Sequence, residues 1–162
     1  MCFEKDFIKA IQENSGIINS ICRSYFPVQE DFKDARQDVV LQLWRSFPTF
    51  RKESKTSTWI YKVALNTILT KSKKAQSQRS NEPISQLHID QIPSHDHLAE
   101  DNSQEFTWLI SKLDDCNKAI VILSLEGYNN KEIALMLHLT ATNISTRLNR
   151  LRNKLKHCLD EK

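Results

Sequence analysis

Between Asn129 and Leu155 the capping and apolar side chains are spaced so that one local structure fits them: a helix, a tight turn and a second helix. Asn129 followed three residues later by Glu132 has the form of a capping box, in which the Asn side chain accepts from first-turn amides and the Glu reaches back to the cap. One helix therefore starts near Asn130, and Ile133, Ala134 and Leu137 fall on one face of its period. The pattern breaks at His138-Leu139-Thr140, a length suited to a tight interhelical turn, with Thr140 as the cap of the next helix. In that helix Ile144, Leu148, Leu151 and Leu155 follow at i, i+4, i+7 and i+11 and make one narrow buried stripe. The opposite surface carries Thr142, Thr146, Asn149, Arg150 and Asn153. Short polar side chains with Arg on a helix's free face are the donors, acceptors and cations that major-groove docking needs. On spacing alone, the alternative is a helical hairpin with a solvated basic face.

The remainder of the chain points to helices as well. Two glycines and four prolines in 162 residues leave little material for β-hairpin turns. Leu, Ile, Lys, Glu, Gln and Ala dominate the periodic segments, so the expected class is all-α: two small helical domains joined by a flexible linker, the second containing the helix-turn-helix. The net charge of +3 is the sum of uneven segments. Arg51, Lys52, Lys55, Lys62, Lys71, Lys73, Lys74 and Arg79 face only Glu53 between residues 51 and 81, whereas residues 82–106 carry acidic groups and no Lys or Arg. The last helix is basic again. Two basic surfaces separated by an acidic connector suit two contacts on one polyanion.

Phe7, Ile8, Ile11, Ile18, Ile21 and Cys22 recur at helical intervals, in one or two helices with Gly16 as the weak point. Pro27 ends that pattern, and Asp31 is a good cap for a run to Phe47 that buries Ala35, Val39, Leu43 and Phe47. Residues 49–57 read as a polar, basic loop. A third helix from Thr58 to about Lys71 buries Trp59, Ile60, Val63, Ala64, Leu65 and Ile68, with Tyr61 open between core and stacking platform. Periodicity then disappears until about Gln104. The expected organisation is an N-terminal helical domain over 1–72, an acidic connector over 73–103 and the helix-turn-helix domain over 104–162.

Cys2, Cys22, Cys116 and Cys158 form no C-x-x-C pair, and no apolar leader or membrane-length stretch is visible, so reduced thiols, a cytoplasmic location and no direct membrane insertion are expected. His88, His95 and His97 lie in the aperiodic segment without an accompanying ligand set, and no metal or cofactor is expected. No nucleophile-base pair or phosphate loop appears, so the chain does not read as an enzyme.

Three blocks in order resemble the extracytoplasmic-function sigma factors, the smallest promoter-specificity subunits of bacterial RNA polymerase. Residues 31–47, with Asp34, Gln37 and Asp38 and ending in Leu43-Trp44, resemble that family's polymerase-binding helix. Phe50 to Ser54 and then Thr58 to Asn66 resemble its promoter-melting loop and following helix, and Leu113 to Leu155 its promoter-reading helix-turn-helix. The resemblance implies core RNA polymerase as one partner, through Asp34, Gln37, Asp38 and Gln42. Promoter DNA, duplex and melted single strand, is the other.

The downstream element would meet Arg51, Lys52, Lys55, Lys62, Asn66 and Lys71, with Asn66 at a position that lines the captured-base pocket. The upstream element would meet Thr142, Asn143, Ser145, Thr146, Asn149 and Arg150. His138 stands where a turn glycine is usual, and Ser145 where a basic residue is frequent. An anti-sigma factor is a further partner that the family implies. Rival readings are a free-standing helix-turn-helix regulator of duplex DNA, which leaves the Trp44 and Trp59 blocks without a role, and a sigma-like protein-interaction module.

Overall fold

The structure of the chain, a computed structural model, describes residues 3–79 and 109–160. Every regular element among these residues is helical. The chain divides into two compact units, Met1–Asp96 and His97–Lys162. Residues 80–103 of the expected connector, with His88, His95 and His97, lie outside the described residues.

In the first unit the opening segment forms two helices, α1 (Phe3–Glu13) and α2 (Ser15–Tyr25). They are interrupted at Asn14, whose Nδ2 donates to the Ala10 carbonyl at 2.8 Å. The break thus falls just before Gly16, which sits in the first turn of α2. Pro27 holds Phe26 out of the helical region, at φ −130° and ψ 82°, and the chain re-enters a helix at α3 (Gln29–Ser46) behind an extended Val28. Asp31 is therefore not the cap. It lies with Glu30 in the first turn, where a carboxylate meets the unsatisfied amides and the positive end of the helix dipole.

A short 3₁₀ turn, Phe47–Thr49, ends α3 at Pro48. After a loop, α4 spans Thr56–Arg79, starting two residues before Thr58 and running well past Lys71. Residues 73–79, expected to open the connector, are helical. Lys73, Lys74, Ala75 and Gln76 are strong helix formers and continue a helix without an apolar stripe.

Helix α3 packs on α4 and α2, and α2 on α4. Ile18, Ile21 and Cys22 from α2, Ala35, Val39 and Leu43 from α3, and Ile60, Ala64, Leu65 and Ile68 from α4 are fully buried between them. Tyr61 joins this core. Trp59 is only half-buried and stacks on Phe50, centroids 4.7 Å apart and planes 23° apart. Phe47 touches it at 5.9 Å and also meets Phe3 and Phe7 of α1, both at 5.3 Å, while Trp44 lies edge-on to Phe3 and Phe7 at 4.9 and 5.0 Å. This aromatic cluster ties α1 and the 3₁₀ turn to the start of α4. Arg36 Nε donates to Asn19 Oδ1 at 2.9 Å, and Arg23 lies over the Phe32 ring at 4.6 Å.

Full burial pushes the Cys22 thiol up from an ordinary value of 9.0 to about 11, with Arg36 opposing. The unfolded chain loses that proton near pH 9 and the folded chain near pH 11, so stability falls with rising pH across this window. Other groups titrate there too. The stability difference between the natural chain and Cys22→Ala should shrink by roughly 2–3 kcal/mol from pH 9 to pH 11 in urea melts, and a constant difference would disprove the effect.

The second unit contains α5 (Asp115–Leu125), α6 (Asn130–Leu137) and α7 (Ala141–Asp160). The Asp114 carboxylate caps α5, accepting from Asn117 N at 2.8 Å. Gly127, at φ 91°, closes α5 so that Tyr128 N reaches the Leu123 carbonyl at 3.1 Å, a geometry that favours glycine. The capping box is formed: Asn129 N donates to Glu132 Oε2 at 2.8 Å and Glu132 N to Asn129 Oδ1 at 3.0 Å.

His138 takes the left-handed conformation at φ 56° and ψ 41°, and Leu139 N donates to the Ala134 carbonyl at 2.9 Å. Asn143 N then donates to Thr140 Oγ1 at 3.1 Å, so Thr140 caps α7. Ile120, Leu123, Ile133 and Ile144 are fully buried where the three helices meet, with Leu148 and Leu151 nearly so. Burial pulls the Lys118 ammonium below the usual lysine value, with Asp115 opposing.

Candidate nucleic-acid interface

Because Ala35, Val39 and Leu43 fill the core side of α3, its other side faces outward, and Asp34, Gln37, Asp38 and Gln42 are all exposed there. Leu41 and Trp44 accompany them, 47% and 38% exposed, which gives an acidic, amide-rich face with an apolar part. Such a composition suits a protein partner with a basic rim.

Arg51, Lys52 and Lys55 stand exposed in the loop between the 3₁₀ turn and α4. Lys52 holds a left-handed backbone at φ 57°, a conformation that side-chain-bearing residues adopt at a cost. Lys62 and Asn66 follow one turn apart on α4, and Asn66 Nδ2 donates back to the Lys62 carbonyl at 2.8 Å. Lys73 and Lys74, exposed near the end of the described helix, add charge that the expected site did not include. Lys71 is engaged: its Nζ lies 2.6 Å from Asp38 Oδ2, both side chains being partly exposed. A side chain expected at DNA and one expected at polymerase are thus partners of each other across α3 and α4.

In the second unit, burial of Ile144, Leu148 and Leu151 turns Thr142, Asn143, Thr146, Asn149 and Arg150 outward. Thr142, Asn143, Thr146 and Arg150 line a concave cleft of about 830 Å³ with Arg147, Asn153, Lys154 and the start of α5 at Asp114 and Asn117. Ser145, half-buried, and Asn149 lie outside that cleft. Thr146 Oγ1 donates to the Thr142 carbonyl at 3.0 Å.

Four side chains of the cleft are linked. Asn117 Nδ2 donates to Asp114 Oδ2 at 2.8 Å, Arg147 Nη1 to Asn117 Oδ1 at 3.0 Å, and Arg147 Nε to Asn143 Oδ1 at 2.7 Å. Arg147, Asn117 and Asp114 were absent from the expected site. The i,i+4 spacing of Asn143 and Arg147 is visible in sequence, but their link to Asn117, 30 residues earlier, has no local signal. Most side chains lining the cleft are polar, with cations on the α7 side, and these are the donors and acceptors that reading a base edge beside a phosphate requires.

Residues 10–78, from the end of α1 to nearly the end of α4, match the sigma-70 region 2 family. The ECF RNA polymerase sigma-E factor of Haemophilus influenzae is 25% identical over 141 residues, covering 80% of this chain and 75% of that protein. The ECF RNA polymerase sigma factor SigM of Mycobacterium tuberculosis is 24% identical over 144 residues, covering 88% and 71%. Among solved structures, the sigma factor RpoE in complex with the anti-sigma factor NepR from Bartonella quintana has the same fold, with a TM-score of 0.71 at 19% identity over 96% of this chain and 98% of that one. CnrH, in complex with the cytosolic domain of CnrY, has a TM-score of 0.65 at 18% identity, covering 98% and 90%. Residues 10–78 thus match sigma-70 region 2, and over most of its length the chain is similar to extracytoplasmic-function RNA polymerase sigma factors, whose helical fold it shares.

Proposed function

We propose that this chain is an alternative sigma factor: it binds core RNA polymerase and directs it to a particular class of promoters. The observation that carries this reading is the sigma-70 region 2 match over residues 10–78, on a bundle that presents an acidic face on α3 and a basic loop ahead of α4. Asp34, Gln37, Asp38 and Gln42 meet the polymerase, with Leu41 and Trp44 supplying buried contact area. Arg51, Lys52, Lys55 and Lys62 hold phosphates of the downstream element, and Lys71 joins them when Asp38 turns to another partner.

Opening a duplex means unstacking a base at a cost of a few kcal/mol, which a pocket offsets with stacking and edge hydrogen bonds. Asn66, with a donor and an acceptor on one amide, supplies edge contacts. Thr142, Asn143, Ser145, Thr146, Asn149 and Arg150 read the upstream element. The domain roles follow: polymerase binding and melting in 1–72, upstream reading in 104–162, with 73–103 joining them. The polymerase performs all bond chemistry, in the cytoplasm, and the chain needs no cofactor.

An anti-sigma factor fits as a regulatory partner, as the complexes of RpoE with NepR and of CnrH with CnrY are of that kind. Among the described residues, no helix is long and apolar enough to cross a membrane. The test is run-off transcription with bacterial core polymerase on a pool of promoter fragments from the source genome. Start-site-specific transcripts that require the protein are the expected result. Stable duplex binding with no such transcript would favour the free-standing regulator.

A further inference from the structure

We propose that the side chains Asp114, Asn117, Arg147 and Asn143 form a hydrogen-bond network, with Arg147 donating to both amides, that fixes Asn143 as a donor, selecting guanine or thymine at one position of the upstream element. The inference rests on the reading of α7 as the promoter-reading helix. The donor and acceptor roles in the network follow from the chemistry of its charged members. A carboxylate only accepts, so Asp114 Oδ2 takes the Asn117 amide nitrogen at 2.8 Å, and Asn117 Oδ1 is left to accept from Arg147 Nη1 at 3.0 Å. A guanidinium only donates, so the atom of Asn143 that meets Arg147 Nε at 2.7 Å is its oxygen. Neither amide can be turned round without placing donor against donor.

Asn143 sits in the first turn of α7, exposed and on the wall of the cleft. An amide that can turn freely suits adenine, accepting from N6 while donating to N7. Here the oxygen already holds a charged donor, and the group left to contact a base is the NH₂ of Nδ2. Guanine offers that NH₂ two acceptors, N7 and O6, and thymine offers O4. Cytosine offers only an amine; adenine offers N7 as well, but its adjacent amine then faces the guanidinium-held side of the amide without a free acceptor. Asp114, Asn117 and Arg147 act through Asn143 as positioning residues. Asp114 does this while capping α5, so the start of that helix and the base-facing amide are set by one carboxylate.

The experiment is run-off transcription by the full chain with core polymerase on promoters in which each base pair of the upstream element is changed in turn to the other three. At one position, guanine or thymine should exceed adenine and cytosine by about tenfold. Asn143→Asp, an acceptor at a helix position that tolerates acid, should move the preference at that position to cytosine, since carboxylates accept from its amine. Asp114→Asn retains the cap, because Asn caps a helix as well as Asp does, but puts a donor where the network needs an acceptor. Its base preference at that position should flatten to within about twofold, with other positions and the salt dependence unchanged, a pattern that loss of folding does not give. An unchanged base profile in Asp114→Asn, or adenine preferred at the position that Asn143→Asp alters, overturns the network. If the natural chain yields no start-site-specific transcript on any promoter, the initiation reading itself is overturned, and this inference with it.

Discussion

Replacing Leu43 with alanine should lower the stability of the first unit by about 3 kcal/mol. Leu43 is fully buried on α3, in line with Val39 and Ala35 and facing the α2 and α4 side chains that close the bundle. Removing most of its side chain forfeits the transfer energy of the lost methyl and methylene groups and leaves a cavity that rigid neighbours fill only in part. In a unit of this size the loss corresponds to a fall in melting temperature on the order of 15 °C. Urea or thermal melts followed by tryptophan emission would register it, since Trp44 and Trp59 both sit in the aromatic cluster of this unit. Leu41 lies two residues away on the same helix and is 47% exposed. Its replacement by alanine should change stability by less than about 0.5 kcal/mol, and equal effects at the two positions would refute the assigned faces of α3.

The second large effect is functional. Alanine at Arg51, Lys52 and Lys55 together should reduce promoter opening about a hundredfold at near-physiological salt, and should lower the slope of log activity against log salt by about 2. All three are exposed in the loop ahead of α4, away from the core, so the folded state should survive. Lys52 permits a sharper test, because its backbone is left-handed. Lys52→Gly relieves the backbone cost while removing the charge, so it should hold or raise stability and still weaken opening. Activity that follows stability across these variants, rather than charge, would count against phosphate contact.

The helix-turn-helix was legible almost residue by residue, because its determinants are local: Asn129 and Glu132 cap each other, Thr140 caps α7, and the Ile144 to Leu151 stripe is buried. The core faces of α3 and α4 were legible for the same reason, through their periodicity, although Phe47, Trp59 and Val63, expected on those stripes, are only half-buried. Helix ends without a side-chain signal were not. Helix α3 begins at Gln29 because Pro27 shapes the backbone before it, although Asp31 has the better capping chemistry, and α4 continues past its apolar stripe on propensity alone. Exposure of the candidate side chains followed from the buried stripes, whereas their pairing did not. Asp38 and Lys71 are 33 residues apart, Asn117 and Arg147 are 30 apart, and only the packing of helices brings such pairs within reach. Tyr61 was undecided in sequence since a phenol ring suits a core and a base-stacking platform alike, and the bundle geometry turned it inward.

The turn before α7 reaches the left-handed region with a histidine, and its shape is closed by the Leu139 amide on the Ala134 carbonyl. Any residue but proline can supply those backbone atoms; only the energy of holding them varies with the side chain. The crossing of the two helices is therefore encoded in main-chain geometry rather than in a residue type. A pattern search that demanded glycine at this corner would pass over a helix-turn-helix whose joint is nonetheless intact.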